Sequence, residues 1–416
     1  MLFFKECKKI LFSLSFVIYL IAAMAMYFTQ FDSDCKNAVE PPSAGLADYG
    51  MKEKEIPEIL MPTAIESLVG DYIEDSYIAY PIGFYKDVHL SENKKEKMAK
   101  IITEITGITK EELDSFENFQ AEGYEIGSSG EVIHIEPNKP EISVLPEMTY
   151  ERFRELMREA DDIIGGGSDY SDGNIVRNFS CVPKTYEDAV EEYEKFFTDD
   201  KITRSYARLF CDYMGIVLAI LPVFAAVSLT ALDKRSHMEQ LAYSRKISSA
   251  KLIFTRYAAL VSVMSVPVVI AALIAYFKVK GMYSGEALDT TAFLRYSAIW
   301  LLPAIMTATA VGMFITELTS SILAIFVQGT LWFTSLFSSG DGLTGHIGKL
   351  TFLIRHSDLY ELEAFTNTFD NFIFNRLFYM IISITIIALT VVVYELKSRG
   401  IFNGYTFSFK TAKNKS

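Results

Sequence analysis

Six long apolar runs set the plan of this chain, at roughly residues 10–28, 209–232, 252–277, 296–316, 320–338 and 373–394. None carries a charge near its middle. A helix rises about 1.5 Å per residue, so about 20 residues cross a ~30 Å hydrocarbon layer, and each run is long enough. The pattern predicts a polytopic α-helical membrane protein with six transmembrane helices. Ahead of the first run, Phe3, Phe4, Cys7, Ile10 and Leu11 recur at helical spacing while Lys5, Glu6, Lys8 and Lys9 fall between them. That is an apolar stripe with a basic opposite face, the pattern of a helix lying in the membrane interface. The first run also has the basic start and small-residue triplet of a cleavable signal peptide. At about 19 residues it is longer than a signal peptide's usual apolar core of roughly 7–15, so an uncleaved span is expected.

Between the first and second runs the pattern changes. Residues 32–204 alternate short helical and strand-like segments and predict one helix-rich α+β domain inserted between spans one and two. Helices are signalled at 91–106, 109–119, 149–164 and 185–197, and strands at 76–85 and 131–136. Thr109 with Glu112 makes a capping box, and Thr185 with Asp188 imitates one. The segment leading into the second run, "DDKITRSYARLFCDYMG", has no Gly or Pro before Gly215. It predicts one continuous rod from the inserted domain into the membrane. The expected division is 1–31 for the interfacial helix and span one, 32–204 for the inserted domain, 205–396 for spans two to six, and 397–416 for a tail.

Charge sharpens the picture. The net charge is −13. Residues 32–204 hold 39 acidic and 18 basic side chains, a net of −21, and the rest holds 13 and 21, a net of +8. Lys5, Lys8 and Lys9 precede span one. Lys234, Arg235, Arg245, Lys246 and Lys251 follow span two, and Lys397, Arg399, Lys410, Lys413 and Lys415 follow span six. Six alternating crossings put all three groups on one side. The positive-inside bias makes that side the cytoplasm, and alternation leaves residues 32–204 outside. The acidity of the inserted domain suits plain solvation or the gathering of a cationic substrate.

Candidate chemistry is sparse. No G-x-x-x-x-G-K-[ST], H-E-x-x-H or G-x-S-x-G occurs, and the five histidines show no metal-ligand spacing. Neither an enzyme nor a metal site is expected, and no nucleic-acid partner. Gly165, Gly166 and Gly167 follow a helix and predict a turn, and the acidic run 169–174 lacks the full Ca²⁺-loop pattern. Cys35 and Cys181 both fall outside and either pair or stand as unrelated thiols. Pro222, Pro267 and Pro303 lie within spans two, three and four, as hinges of a moving path or as fixed kinks. Gln328 sits mid-span and is expected to face protein or water. Arg208 and Asp212, one turn apart, are placed to pair at the outer edge of span two.

The basic segment 233–251 joins spans two and three. Met238, Leu241, Ala242 and Arg245 share one helical face, with Lys234 and Lys246 at the ends. It suits docking into a groove of a partner, or binding of anionic lipid. Here "CDYMGIVLAILPVFAAVSLTALDKRSHMEQLAYSRKISSAKLIFTRYAALV" resembles the second and third spans of ABC-2-type permeases, the membrane subunits of bacterial ATP-binding-cassette transporters. The matching positions are Asp233, Arg235, Leu241, Ser244, Arg245, Ile247, Ser248, Arg256 and Tyr257. "IIGGGSDYS" with "YARLFCDYMGI" is similar to a permease subgroup with a large outer domain between spans one and two. The resemblance implies that Asp233, Arg235, Met238, Leu241, Ser244, Arg245 and Lys246 couple to a separate ABC ATPase subunit. That subunit binds the ATP, so the chain itself needs no cofactor. A second permease copy or a sister permease shares the path, and export is the implied direction. Two other functions fit the same plan: ATPase-driven mechanotransmission without solute movement, and a membrane sensor for an outside ligand.

Overall fold

The computed structural model describes residues 2–115, 142–232, 236, 243, 247–338, 350–356, 359–360 and 362–402, with the backbone of 123–126 and 132–135. Contacts divide the chain into two compact units, Met1–Pro41 with Val190–Ser416, and Pro42–Ala189. Residues 32–41 and 190–204, expected in the inserted domain, belong instead to the helical unit.

The helical unit opens with α1 (Leu2–Leu11), which a turn at residues 12–13 separates from α2 (Leu14–Asp34). Ser13 is extended there, and its hydroxyl accepts from the Phe16 amide at 3.2 Å, capping α2. α1 therefore forms as a helix of its own, though its buried face differs from the expected stripe. Ile10 is buried and Phe3 and Cys7 are half-buried, but Phe4 and Leu11 face outward, and Glu6 is buried in their place.

The smaller unit carries β1 (Met51–Glu53), α3 (Pro57–Glu74), β2 (Tyr77–Ala79), β3 (Lys86–Val88), α4 (Glu92–Thr106), α5 (Lys110–Leu113), β4 (Gly123–Ile126), β5 (Val132–Ile135), α6 (Tyr150–Ile164), α7 (Ile175–Phe179) and β6 (Cys181–Pro183). The strands form three antiparallel pairs, β1–β6, β2–β3 and β4–β5. The core gathers Leu60, Ile65 and Leu68 of α3, Met98, Ile102 and Ile105 of α4, and Phe153, Leu156 and Met157 of α6. The capping box at Thr109 and Glu112 forms as the spacing predicts. α3, with Pro57 in its first turn and Pro62 inside, has no counterpart among the sequence expectations. Its prolines mask an otherwise apolar helix. Gly167, at φ +71°, lets the glycine turn approach the β2–β3 hairpin. A Cβ there would stand 2.6 Å from the Tyr80 carbonyl oxygen.

The chain continues through α8 (Tyr186–Thr198), α9 (Thr203–Leu218), α10 (Pro222–Thr230), α11 (Ser249–Met282), α12 (Ala292–Thr319), α13 (Leu323–Ser338), α14 (Leu362–Asn367) and α15 (Phe369–Ser398). Among the described residues five helices are long and apolar enough to cross a membrane: α2, α9 with α10, α11, α12 and α15. The chain is a polytopic helical membrane protein. The fifth expected span, α13, has 16 residues and rises only about 24 Å, short of the ~30 Å layer. The core of this unit is shared by α2, α9, α11, α12 and α15. α12 and α15 are joined by a hydroxyl contact, Thr307 Oγ1 to Ser383 Oγ at 2.9 Å. α10 crosses α12 at Gly312, where a Cβ would come within 2.6 Å of Ala226 Cβ. Only glycine permits that approach.

Candidate functional site

Two breaks bound α9, and the chemistry of the helical unit gathers at them. The rod expected between residues 199 and 218 is interrupted. α8 ends at Thr198, and Lys201 and Ile202 take positive φ values of 48° and 55° before α9 begins. No glycine marks the place, and a β-branched residue at positive φ is costly. Side chains hold it. Arg208 makes two 2.6 Å hydrogen bonds to the two carboxylate oxygens of Asp200, with both side chains buried. Arg208 also donates from Nε to His356 Nε2 at 3.1 Å and lies 5.1 Å over the Phe365 ring. Arg204 Nε reaches Asp289 Oδ2 at 3.1 Å, and the Thr203 hydroxyl and the Asp289 backbone exchange hydrogen bonds. Asp289 lies between α11 and α12. Burial raises its pKa, but Thr291, Arg204 and Arg295 outweigh that and hold it down at about 2.

The expected Arg208–Asp212 pair does not form. Asp212 turns to Arg355, with oxygens 2.8 and 3.2 Å from Nε and Nη2, and accepts the His356 amide at 2.8 Å. Arg355 and His356 end a buried, non-helical strap at residues 350–356. Such a segment survives among membrane helices only if side chains satisfy its backbone. Here Tyr379 donates to the Leu350 carbonyl at 2.6 Å, Asn375 to Thr351 at 2.8 Å and Arg376 to Phe352 at 2.9 Å, while Ser335 accepts the Phe352 amide at 3.2 Å. Sequence reasoning missed Asp200, Arg355, His356 and Arg376. Arg355, His356 and Arg376 meet partners far off in sequence, and Asp200 pairs with Arg208 across a break that no residue between them signals.

The second break falls at residues 219–221. Pro222 has no N–H for the Leu218 carbonyl. The turn tightens, so that Ile220 N bonds to Val217 O and Val223 N to Ile220 O, at 3.3 and 3.2 Å. This releases the carbonyls of Ile216 and Ala219 from the helical ladder. α13 supplies both replacements from side chains one turn apart: Gln328 Nε2 donates to Ala219 O at 2.6 Å, and Trp332 Nε1 to Ile216 O at 2.9 Å. Gln328 is wholly buried, so it faces protein. Pro222 and Gln328, separate candidates in the sequence, thus belong to one device. The other two prolines act differently. Pro267 sits inside the unbroken 34-residue α11, and Pro303 follows a π-turn at Ser297–Leu301 that carries α12 past it.

Beyond Pro222, α10 runs nine residues to Thr230. The seven expected coupling positions, Asp233, Arg235, Met238, Leu241, Ser244, Arg245 and Lys246, lie outside the described residues. On their far side Ser248 caps α11, accepting from Lys251 N at 3.3 Å. This end of the bundle carries several ties: Glu6 to Arg256, Ser249 to Glu395, Lys397 to Glu317, and the Tyr243 ring 5.3 Å from that of Tyr394. Cys35 and Cys181 are free thiols. Cys35 is buried in the helical unit, whereas Cys181 is exposed and donates to the Arg177 carbonyl at 3.1 Å. Among the described residues no three His, Cys, Asp or Glu side chains gather as a metal site.

No protein-family model, curated protein or solved structure matches the chain.

Proposed function

We propose that the chain is the membrane subunit of an ABC-2-type transporter, driven by a separate ATPase through residues 233–251 and working in the export direction. The observation that carries this reading is the position of α10. It is a short helix between a clamped break at Pro222 and the segment that the resemblance assigns to the ATPase. α10 rests on α12 through the glycine contact and on α13 through Val223, Val227 and Ala324. A push on residues 233–251 then reaches α10 directly and pivots it about residues 219–221. α11, on the other side of the segment, is tied at its first turns to α1 and α15. In this reading α13 is the fifth of six crossings, despite its length. The ends of the chain are cytoplasmic in a bacterial cell membrane, and residues 32–204 lie outside. A second permease copy completes the path.

The test is to look beside the chain's own gene for one encoding a Walker-motif ATPase and to co-express the two. The expected result is a complex whose ATP hydrolysis drives solute across reconstituted vesicles, and loss of that complex when Arg245 and Lys246 are both reversed to Glu. A stable complex that survives the double reversal would overturn the coupling role of the segment. ATP hydrolysis without solute movement would favour the second reading, mechanotransmission. The buried Asp200–Arg208 joint supports that alternative, because it binds the end of α8 to α9.

A further inference from the structure

α1 separates its charges by sign. Its one carboxylate, Glu6, is turned inward and is 1% exposed, 3.8 Å from Arg256 of α11 and 2.8 Å from the Lys9 ammonium. Lys5, Lys8 and Lys9 are all exposed. Between and beside them stand outward-facing apolar side chains: Phe4 is 75% exposed, Leu11 45% and Phe12 81%. The outward face is therefore cationic and apolar at once, with no acidic group. It runs on, across the Ser13 turn, into the exposed Leu14, Val17, Ile18 and Ile21 of α2, the first membrane-crossing helix. In water this face would leave two phenylalanines and a leucine unburied. In a neutral interface it would leave the Lys5 and Lys8 ammonium groups without counter-charge and Lys9 with only the inward-turned Glu6.

We propose that the outward face of α1 binds anionic phospholipid headgroups of the leaflet that α2 enters. Phe4, Leu11 and Phe12 sink to the level of the upper acyl chains, and Lys5, Lys8 and Lys9 reach phosphates at headgroup depth. Charge complementarity argues for this occupant, and so does continuity with a helix that must itself sit in lipid. Because Glu6 faces Arg256, the bound leaflet is mechanically joined to the first turns of α11. The proposal requires only that α2 enters a bilayer, and it stands whether or not the chain is a transporter subunit.

The experiment compares the full-length chain in nanodiscs of phosphatidylcholine alone and of phosphatidylcholine with phosphatidylglycerol, by amide hydrogen exchange of residues 2–12. Exchange should slow in the anionic discs by roughly fivefold per engaged lysine, on the order of a hundredfold for three. About 0.5 M salt should reverse most of the effect. The Lys5→Gln, Lys8→Gln, Lys9→Gln variant should exchange equally in both discs, whereas the triple Arg variant should keep the response. Exchange of α15 reports whether each variant is folded. Should the Gln variant misfold, the lipid comparison on the native chain and the Arg variant decides alone. Equal exchange of the native chain in both discs overturns the proposal. So does an anionic-lipid response that survives in a folded Gln variant, or slowing that appears only when a soluble protein partner is added.

Discussion

The two breaks that bound α9 are solved in opposite ways. At residues 219–221 the cause is local, a proline without an N–H, and the remedy is neutral: an amide and an indole from α13 take the released carbonyls. At residues 199–202 no residue forces a break. Two residues sit in a strained backbone region because two arginines, two aspartates and a threonine hold them there. A break written into the covalent chain needs only to be satisfied, whereas a break imposed by tertiary contacts must be held. A pivot at the first would separate no charges, whereas one at the second would have to pull Asp200 from Arg208.

The largest expected effect comes from removing the charge that holds the 199–202 joint. Arg208→Gln leaves Asp200 buried without its counter-ion and should cost about 3–5 kcal/mol in denaturant unfolding of the full chain. Arg208→Lys, which lacks the two-pronged donor, should recover only part of that. A loss under 1 kcal/mol for Arg208→Gln would mean that the joint is held by packing alone. At Pro222 the comparison predicts a smaller loss. Gln328→Leu strands the Ala219 carbonyl and should cost roughly 1–3 kcal/mol, with faster amide exchange confined to residues 218–224. Exchange unchanged there would show that the clamp is idle.

Acid separates the two breaks further. The pKa of Asp289 is depressed in the folded state, to about 2. Its contribution is therefore present above its unfolded value near 4 and is lost as pH falls through about 2. The 199–202 joint should loosen over that window, measured as accelerated exchange of residues 199–206. The Pro222 clamp, whose contacts carry no ionisable group, should not respond. Asp289→Asn should remove the difference. The smallest effect is a gain: Lys201→Gly suits the φ of 48° and should stabilise the chain by about 0.5–1 kcal/mol. A loss would show that Lys201 makes a contact worth more than the strain it bears.

How far the sequence could be read follows the range of each cause. The apolar runs, the separate α1 and the capped ends at Thr109 and Thr149 depend on periodicity or on neighbours within four residues; the single strand expected at 76–85 is instead the β2–β3 hairpin, whose turn falls inside that range. Pro222 and Gln328 were both visible as oddities within spans, for the same local reason. Their meeting was not, because 106 positions separate them. Arg208 and Asp212 misled for the opposite reason. Their i,i+4 spacing permits a pair, but each finds a better-oriented partner, Asp200 and Arg355, that spacing cannot reveal. α3 was missed because the propensity cost of Pro62 hides the burial of Leu60, Ala64, Ile65 and Leu68, which outweighs it.

The sequence by itself determined that this is a lipid-embedded helical chain with an acidic inserted unit, because hydropathy and charge act through the solvent and need no partner residue. Only the tertiary structure decided where the second membrane helix breaks, which side chains satisfy the exposed backbone, and which face of α1 turns its lysines outward. Those outcomes rest on hydrogen bonds and ion pairs a few ångströms long between groups far apart in the chain, and their strength is set by geometry that no single segment contains.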